Sequence, residues 1–483
     1  MSRLHLFRFS VSHWICSLTL LLGVMAITAH AVDETDEATP TARKISYDKD
    51  IRPIFQTHCQ GCHQPAKKGG GYVMTDFPLL LKGGESEEAA IVANKPDESY
   101  LLSLISKIDG AAEMPQNQDP LADSEIDLIR QWITQGAKND SPASTRLRYS
   151  PENPPVYVAA PIITSVDFSS DGKYLAISGF HEVLLYRADG SELVARLIGL
   201  SERIESARFS PDGSMLAVAG GSPGRMGELQ VWKTEGAELL LALTAGYDTI
   251  YGANWSPDSK LVSYGCPDAT IHAVKIDDAT EVLFNGAHSD WVLDTVFSKE
   301  GDHLVTVSRD RSMKLINVKT SQFIDNITSI TPGALKGGLH AVDRHPDKDE
   351  LLAGGVDGVP KVYKMVRDKA RKIGDDYNLI RAFPKLNGRI FSTRFSHDGS
   401  QIVAGSSFNG AGQIKIANYA DGKEIASVDI DAGIFTVAFH PDGKTIAAGG
   451  FDGYIYLIDA ATGTIEKQFI PVEIQADITN LNN

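Results

Sequence analysis

The tetrapeptide SPDG at residues 210–213, with Phe209 before it, decides the fold because the chain keeps returning to it. Its counterparts are SSDG from Ser169, SPDS from Ser256, SKEG from Ser298, HPDK from His345, SHDG from Ser396 and HPDG from His440. Just before these turns stand Phe168, Phe209, Trp255, Phe297, Arg344, Phe395 and Phe439. Five residues earlier come Ile163, Ile204, Ile250, Val292, Leu339, Ile390 and Ile434, and three after those Val166, Ala207, Ala253, Thr295, Val342, Thr393 and Val437. The copies lie 41 to 51 residues apart. Small, Gly-rich runs such as LAVAGG and IAAGGF follow the turns, then strand-like runs such as ELQVWK and YIYLID. This period predicts four short strands per copy, one blade of a propeller, and seven copies predict seven blades over residues 162–472.

The repeats resemble the WD-repeat family. GAHSDWVLDTVFS (286–298) is the best match to that family's Gly-His opening, with His288 as its structural histidine. Asp268, Asp310, Asp357 and Asp452 fall at the turn before the third strand, where the family favours Asp. Most copies lack the closing Trp-Asp pair; LQVWK (229–233) comes nearest. A propeller hosts docking, scaffolding and catalysis alike, so the fold alone names no activity. The position at the entry of each inner strand reads Thr164, Glu205, Tyr251, Leu293, His340, Phe391 and Phe435, and neighbouring loops add Arg203, Trp291 and Arg389. Arg and aromatic residues gathered on one rim are what a binding surface uses, so Arg203, Tyr251, Trp291, His340, Arg389, Phe391 and Phe435 are candidate partner-binding residues. The stretch KMVRDKARKIGDD (364–376) is basic in an acidic protein and is a second candidate docking site.

Outward toward the N-terminus the chain changes character. Arg3 and Arg8 precede an apolar run, WICSLTLLLGVMAI (14–27), that ends in TAHA, which predicts a signal peptide over residues 1–31. The run is shorter than the ~20 residues of a membrane span. An acidic, Thr-rich leader is expected over 32–43, a compact helical domain over 44–139, a Pro- and Ser-rich linker over 140–161 and a tail over 473–483. The formal net charge is −16, two units more negative once Arg3 and Arg8 are removed. Nucleic acid and anionic lipid demand clustered Lys and Arg and are excluded as partners by this balance.

Within the helical domain, THCQGCHQPA (57–66) places Cys59, Cys62 and His63 together. Zinc would want a second pair of ligands, and the only other cysteine outside the signal, Cys266, lies in a strand far along the chain. A thioredoxin-type dithiol would want a βαβ setting, and a Cys59–Cys62 disulfide leaves His63 unexplained. Haem explains all three: thioethers from Cys59 and Cys62, and His63 as the proximal ligand to iron. For the second axial position the candidates are Met74 and Met114. Met114 is preferred because it precedes Pro115 in a loop of small and polar residues. The helix after that loop, capped by Asp123 or Ser124, is expected to lay Ile126, Ile129, Trp132 and Ile133 against the haem.

The whole of residues 45–140 is similar to the planctomycete-type cytochrome c domain, through CQGCH, the Met114-Pro115 step and a closing helix ending in Gly136-Ala137. That family often has a second Pro where this chain has Gln116. The resemblance implies an extracytoplasmic haem protein and names no substrate. The expected architecture is therefore multidomain, a small all-α cytochrome c domain followed by an all-β seven-bladed propeller. The expected function is electron transfer in the periplasm or another extracytoplasmic space. One covalent haem c would carry the electron, exchanging it with a redox protein or a small donor or acceptor. Two other functions fit the same residues: an oxidoreductase with a substrate or second cofactor in the propeller, and a haem-based sensor or scaffold.

Overall fold

A computed structural model of the protein describes residues 43–475 apart from 61, 65–66, 76, 117, 142–148, 247, 330–336, 371 and 373–375. The expected signal peptide, the leader up to residue 42, residues 476–483 of the expected tail and part of the basic stretch 364–376 lie outside the described residues.

The first part is built on α1 (Arg52–His58), α2 (Phe77–Lys82), α3 (Tyr100–Ile105) and α4 (Asp123–Thr134). Their apolar faces meet over Ile51, Phe55, Leu80, Leu102, Ile105, Ile129, Trp132 and Ile133. Trp132 is the hub: its ring lies 5.4 Å from Tyr47, 6.4 Å from Phe55 and 6.1 Å from Phe77, and its Nε1–H donates to the Lys138 carbonyl at 3.1 Å. A buried indole thus keeps its polar end satisfied while its body fills the core.

Two expectations are corrected. The domain is not all-α, because His63–Gln64 pairs antiparallel with Lys67–Lys68 in a two-stranded turn. Nor is α4 capped by Asp123 or Ser124. The cap is Ala122, in extended conformation, and its N–H is taken by Glu125 Oε2 at 2.9 Å. Asp123 and Glu125 then stand in the first turn, where the helix dipole favours negative charge.

The chain between the two parts is fastened at Tyr157. Its buried hydroxyl donates to Glu182 Oε1 at 2.8 Å and accepts the Phe180 N–H at 3.0 Å. Arg196 meets the same carboxylate at 2.9 Å, so a fully buried Glu182 is paired and hydrogen-bonded.

Among the described residues the second part consists of one seven-stranded sheet and five four-stranded sheets, all antiparallel, each strand pairing with the next in sequence. The seven-stranded sheet is two four-stranded modules joined by one 17-residue strand, Leu193–Phe209. The first half of that strand is the outer strand of the first module (Val183 opposite Leu197). Its second half is the inner strand of the second (Ala207 opposite Val218). Inner strands pack side by side in sequence order, and the last of them, Ile434–Phe439, packs back on the first, Val166–Phe168. Across that join, the Ile163 N–H donates to Gly450 O and the Val166 N–H to Thr436 Oγ1, both at 2.9 Å.

The repeated residues explain the modules. The column from Ile163 to Ile434 and the column from Val166 to Val437 are buried in every copy. Where the aromatic column has Arg344, the guanidinium Nε donates to Phe297 O at 3.0 Å, tying that position to the preceding module. In the turns, the serine hydroxyl is a hub. Ser396 Oγ donates to Asp398 Oδ1 at 2.7 Å and accepts the Gln401 N–H at 2.9 Å, and Ser169 repeats this with Asp171 and Tyr174. Where histidine replaces serine, Nδ1 accepts instead the N–H two residues on, at 3.1 Å from Asp347 and 3.2 Å from Asp442. The far side of each ring then reaches the next module: His440 Nε2 donates to Gly172 O at 3.0 Å. Gly172 (φ +70°) and Gly399 (φ +69°) have no room for a side chain there, since a Cβ would sit 2.8 Å from His440 and 2.4 Å from His345.

Before the third strand of four modules, Asp268, Asp310, Asp357 and Asp452 accept the N–H two residues on, at 2.9–3.1 Å. His288 is indeed structural: buried, with Nδ1 2.8 Å from Asp310 Oδ2 and Nε2 2.8 Å from Thr306 Oγ1. Burial alone would raise the Asp310 carboxyl, but its bonds to His288, Ser312 and Ser289 hold it well below the usual range.

Candidate functional site

α1 runs into the Cys59–His63 turn without a break. The Cys59 N–H still bonds to Phe55 O at 2.9 Å, and the N–H groups of Cys62 and His63 both donate to Cys59 O at 3.1 Å. Cys59, Cys62 and His63 line a cavity of about 620 Å³, and the Tyr72 ring lies 5.4 Å from the His63 ring. The Tyr72 hydroxyl is held on Leu80 O at 2.7 Å. Glu125 anchors the turn from α4, through His58 Nε2 at 3.3 Å.

Met114 enters the lining from a different segment. Its N–H donates to Leu104 O at 3.0 Å, which hangs the Met114-Pro115 loop from the end of α3. Met74 also lines the cavity, but its N–H donates to His63 O at 2.8 Å and Gln60 Nε2 donates to its carbonyl. Met74 is thus tied to the His63 segment itself, and its side chain is buried in the core. The apolar walls come from Ala90, Leu101, Leu104, Ile105 and Leu121. This corrects the expected stripe on α4: Ile126, Ile129, Trp132 and Ile133 are buried in the domain core, and α3 supplies the wall instead. Gly84 lets the far edge close, because a Cβ there would meet Gly70 O at 2.1 Å.

Among the described residues, Cys59, Cys62 and Cys266 are free thiols. Burial first, then Cys62 and Glu125, pushes the Cys59 thiol up to about 12. Among the described residues no three His, Cys, Asp or Glu side chains converge on a metal-sized site. Cys266 is buried in the core of the third module, its thiol also pushed up to about 12 by burial.

The rim residues group at the starting ends of the inner strands. Phe435 lies 5.1 Å from Phe391, which lies 5.1 Å from His340, and the Arg389 guanidinium stands 5.9 Å over Phe391. Tyr251 stacks on Trp291 at 5.9 Å. Arg203 and Arg389 are exposed, the others half-buried. Burial, with Arg389 and Arg309 beside it, pushes His340 down to about 4, so the ring is neutral at pH 7. Burial lifts Glu205 to about 7 against the opposing pull of Arg203. Burial, then Glu205, raises Tyr251 well above the phenol range.

Reading the entry column alone missed Arg309, Val356, Phe408 and Phe451. Arg309 lies 4.6 Å over the Trp291 ring and donates its N–H to Trp291 O. Arg309, Val356 and Phe451 each stand one residue before a repeated turn Asp, so reading that column as well would have found them.

Residues 59–118 match the family model Planctomycete cytochrome C, and residues 281–317 and 422–459 match WD domain, G-beta repeat. No curated protein matches the chain. One polypeptide therefore joins a segment similar to planctomycete cytochrome c, which implies haem binding, to repeats similar to WD domains. Among the described residues no helix is long and apolar enough to cross a membrane.

Proposed function

We propose that the chain is an exported electron-transfer protein with one covalent haem c in residues 44–139. A linker over 140–161 then leads to a seven-bladed propeller over 162–472 that serves as a docking platform for a redox partner. The signal peptide over 1–31 and a periplasmic or other extracytoplasmic location belong to the same reading. The observation that carries it is the cavity that joins the Cys59–His63 turn to the Met114 loop. Its volume of about 620 Å³ lies within the ~300–1,000 Å³ of small-molecule and cofactor sites. Cys59 and Cys62 would hold the porphyrin edge, His63 and Met114 would face the iron, and Leu101, Leu104, Ile105 and Leu121 would keep water from it. A haem so ligated supplies a one-electron iron couple, with the Met ligand raising its potential. The backbone ties put Met74 with His63 and Met114 elsewhere, which supports Met114 as the sixth ligand. Support for seven blades comes from the inner strands, which pack in order and return to the first.

The test is an absorption spectrum of the protein exported from a host with c-type maturation, followed by acid-acetone extraction. Haem should stay with the protein, and a Met-to-iron charge-transfer band should vanish in Met114→Ala. Haem that extracts freely would sink the covalent reading; a band that survives Met114→Ala but not Met74→Ala would move the ligand to Met74.

A further inference from the structure

The end of the propeller where the inner strands begin carries more than the half-buried aromatic column. The turns between second and third strands reach the same end, as the backbone pairing requires. Phe180 stands opposite Arg203, and the Phe451 N–H donates to Gly433 O just ahead of the last inner strand. Likewise Arg309 bonds to Trp291, and Val356 to Gly338. A Cβ on Gly388 would touch Phe408. These turns therefore present their side chains around the aromatic column, and they leave large apolar groups in solvent: Phe408 is 58% exposed and Phe451 61%, with Phe180, Val356 and Ile162 also exposed. Exposed apolar side chains grouped around half-buried aromatics mark an interaction surface.

Carboxylates such as Glu205, Asp248, Asp290 and Asp357 share this end, yet Arg203, Arg309 and Arg389 stand among its aromatics. Arg309 is 3.5 Å from Asp290, whereas Arg203 and Arg389 have no ion-pair partner among the described residues. Arg389 and Arg309 both act on His340, and Arg203 and Arg309 act on Tyr251 against the larger effect of Glu205 and Asp248, so the three guanidinium groups lie around one cluster of rings. The chain leading from the helical domain reaches this end too, with Tyr149 6.2 Å from Phe180 and Tyr157 bonded to the Phe180 backbone.

We infer that this end docks a protein segment presenting carboxylates around an aromatic side chain. The carboxylates pair with Arg203, Arg309 and Arg389, and the aromatic group packs among Tyr251, Trp291, His340, Phe391 and Phe435. Arg with aromatic residues, ringed by apolar contacts that exclude water, is the composition of binding hot spots. The inference rests on the docking role proposed above and gives it a face and a partner chemistry. A partner held here lies beside the chain that carries the haem-type domain.

The test uses the full exported chain and three fluorescein-labelled probe peptides, read by anisotropy at 50 and 300 mM salt. One alternates Asp and Glu around a central Phe, one replaces the acids by Lys, and one replaces the Phe by Ser. The acidic Phe peptide should bind at least 10-fold more tightly than either control, and the advantage over the Lys peptide should shrink at the higher salt. Arg203→Glu/Arg389→Glu should abolish that preference, and Phe408→Ser/Phe451→Ser should weaken binding; all four side chains are exposed, so these variants keep the fold. Equal binding of the three peptides, or binding indifferent to the Arg reversals, overturns the inference. Self-association of the chain that the same reversals abolish, without peptide discrimination, also overturns it and makes a second copy the occupant. The haem spectrum, recorded on the same samples, separates the two readings: a normal spectrum without discrimination removes the face alone, and discrimination without haem removes electron transfer alone.

Discussion

The two parts of the molecule use histidine in opposite ways. In the sheets, His288 has its two ring nitrogens on Asp310 and Thr306, and His440 has its own on the Asp442 N–H and the Gly172 carbonyl. These rings are structural members, bonded into the repeat. In the helical part, His63 stands on a cavity wall beside two cysteines. The difference separates frame from chemistry. A histidine whose nitrogens both serve a turn holds the fold, and one that borders a cavity is placed to meet a ligand.

The largest effect that would test this separation comes from the helical core. Trp132→Ala removes the indole shared by Tyr47, Phe55 and Phe77 and should cost about 3–5 kcal/mol. In denaturant followed by circular dichroism, the helical signal should melt early while the sheet transition stays in place. A single shared shift would show that the two parts unfold as one.

Next comes the seam between modules. Gly399→Ala forces a side chain into φ +69° and against a buried His345 ring that Phe395 and Tyr419 confine, for a loss of about 3 kcal/mol. Adding His345→Ala removes the clash, so the double variant should lose less than the two single losses summed. Strict additivity would mean the two positions do not meet.

A smaller effect is read by pH. Burial raises Asp294 to about 6, against the pull of Arg208 and of the Val342 and Thr295 N–H groups. A carboxyl raised in the fold disfavours the fold once it ionises, so this contribution is present below pH 4 and lost as pH rises through about 6. Asp294→Asn should therefore be stabilising relative to the parent at pH 7.5 and near neutral at pH 4, a difference on the order of 2 kcal/mol. Asp310 has the opposite sign, its support being lost on acidification, so only the comparison with the variant isolates Asp294. The smallest expected change is Ser259→Gly. Ser259 sits at φ +58° where other turns have glycine, and relief of that strain should add about 0.5–1 kcal/mol to stability. No gain in the unfolding midpoint would show that its turn is already relaxed.

How much of this could be read from the chain depends on repetition. The turn serines, the aromatic column and the two buried columns recur in copy after copy, so their burial was legible without coordinates. Spacing singled out Cys59, Cys62 and His63, and the Pro115 loop singled out Met114, and all four line one cavity. What stayed hidden was long-range and unrepeated. Periodicity gave α4 an apolar stripe, but Trp132 turned that stripe into the core, and the cavity wall fell to the six residues of α3, too short to show a pattern. The fusion of two modules through Leu193–Phe209 was hidden because its halves read as separate strands. Phe408 stayed hidden because its turn lacks the repeated Asp that Arg309 and Phe451 precede.

That fused strand also shapes how the modules yield under load. Among the described residues the other joints between neighbouring modules are crossed by loops or by side-by-side contact, while the joint inside Leu193–Phe209 is continuous backbone with a ladder on both flanks. Pulled or heated, such a set of modules has a preferred tear line, and it lies where the chain's own continuity is missing. That line runs between the last module and the first, where His440 on Gly172, Thr436 on Val166 and Gly450 on Ile163 act as rivets. The tear line passes Ile162 and Phe451, so a molecule seated over both would act as a clasp across the opening.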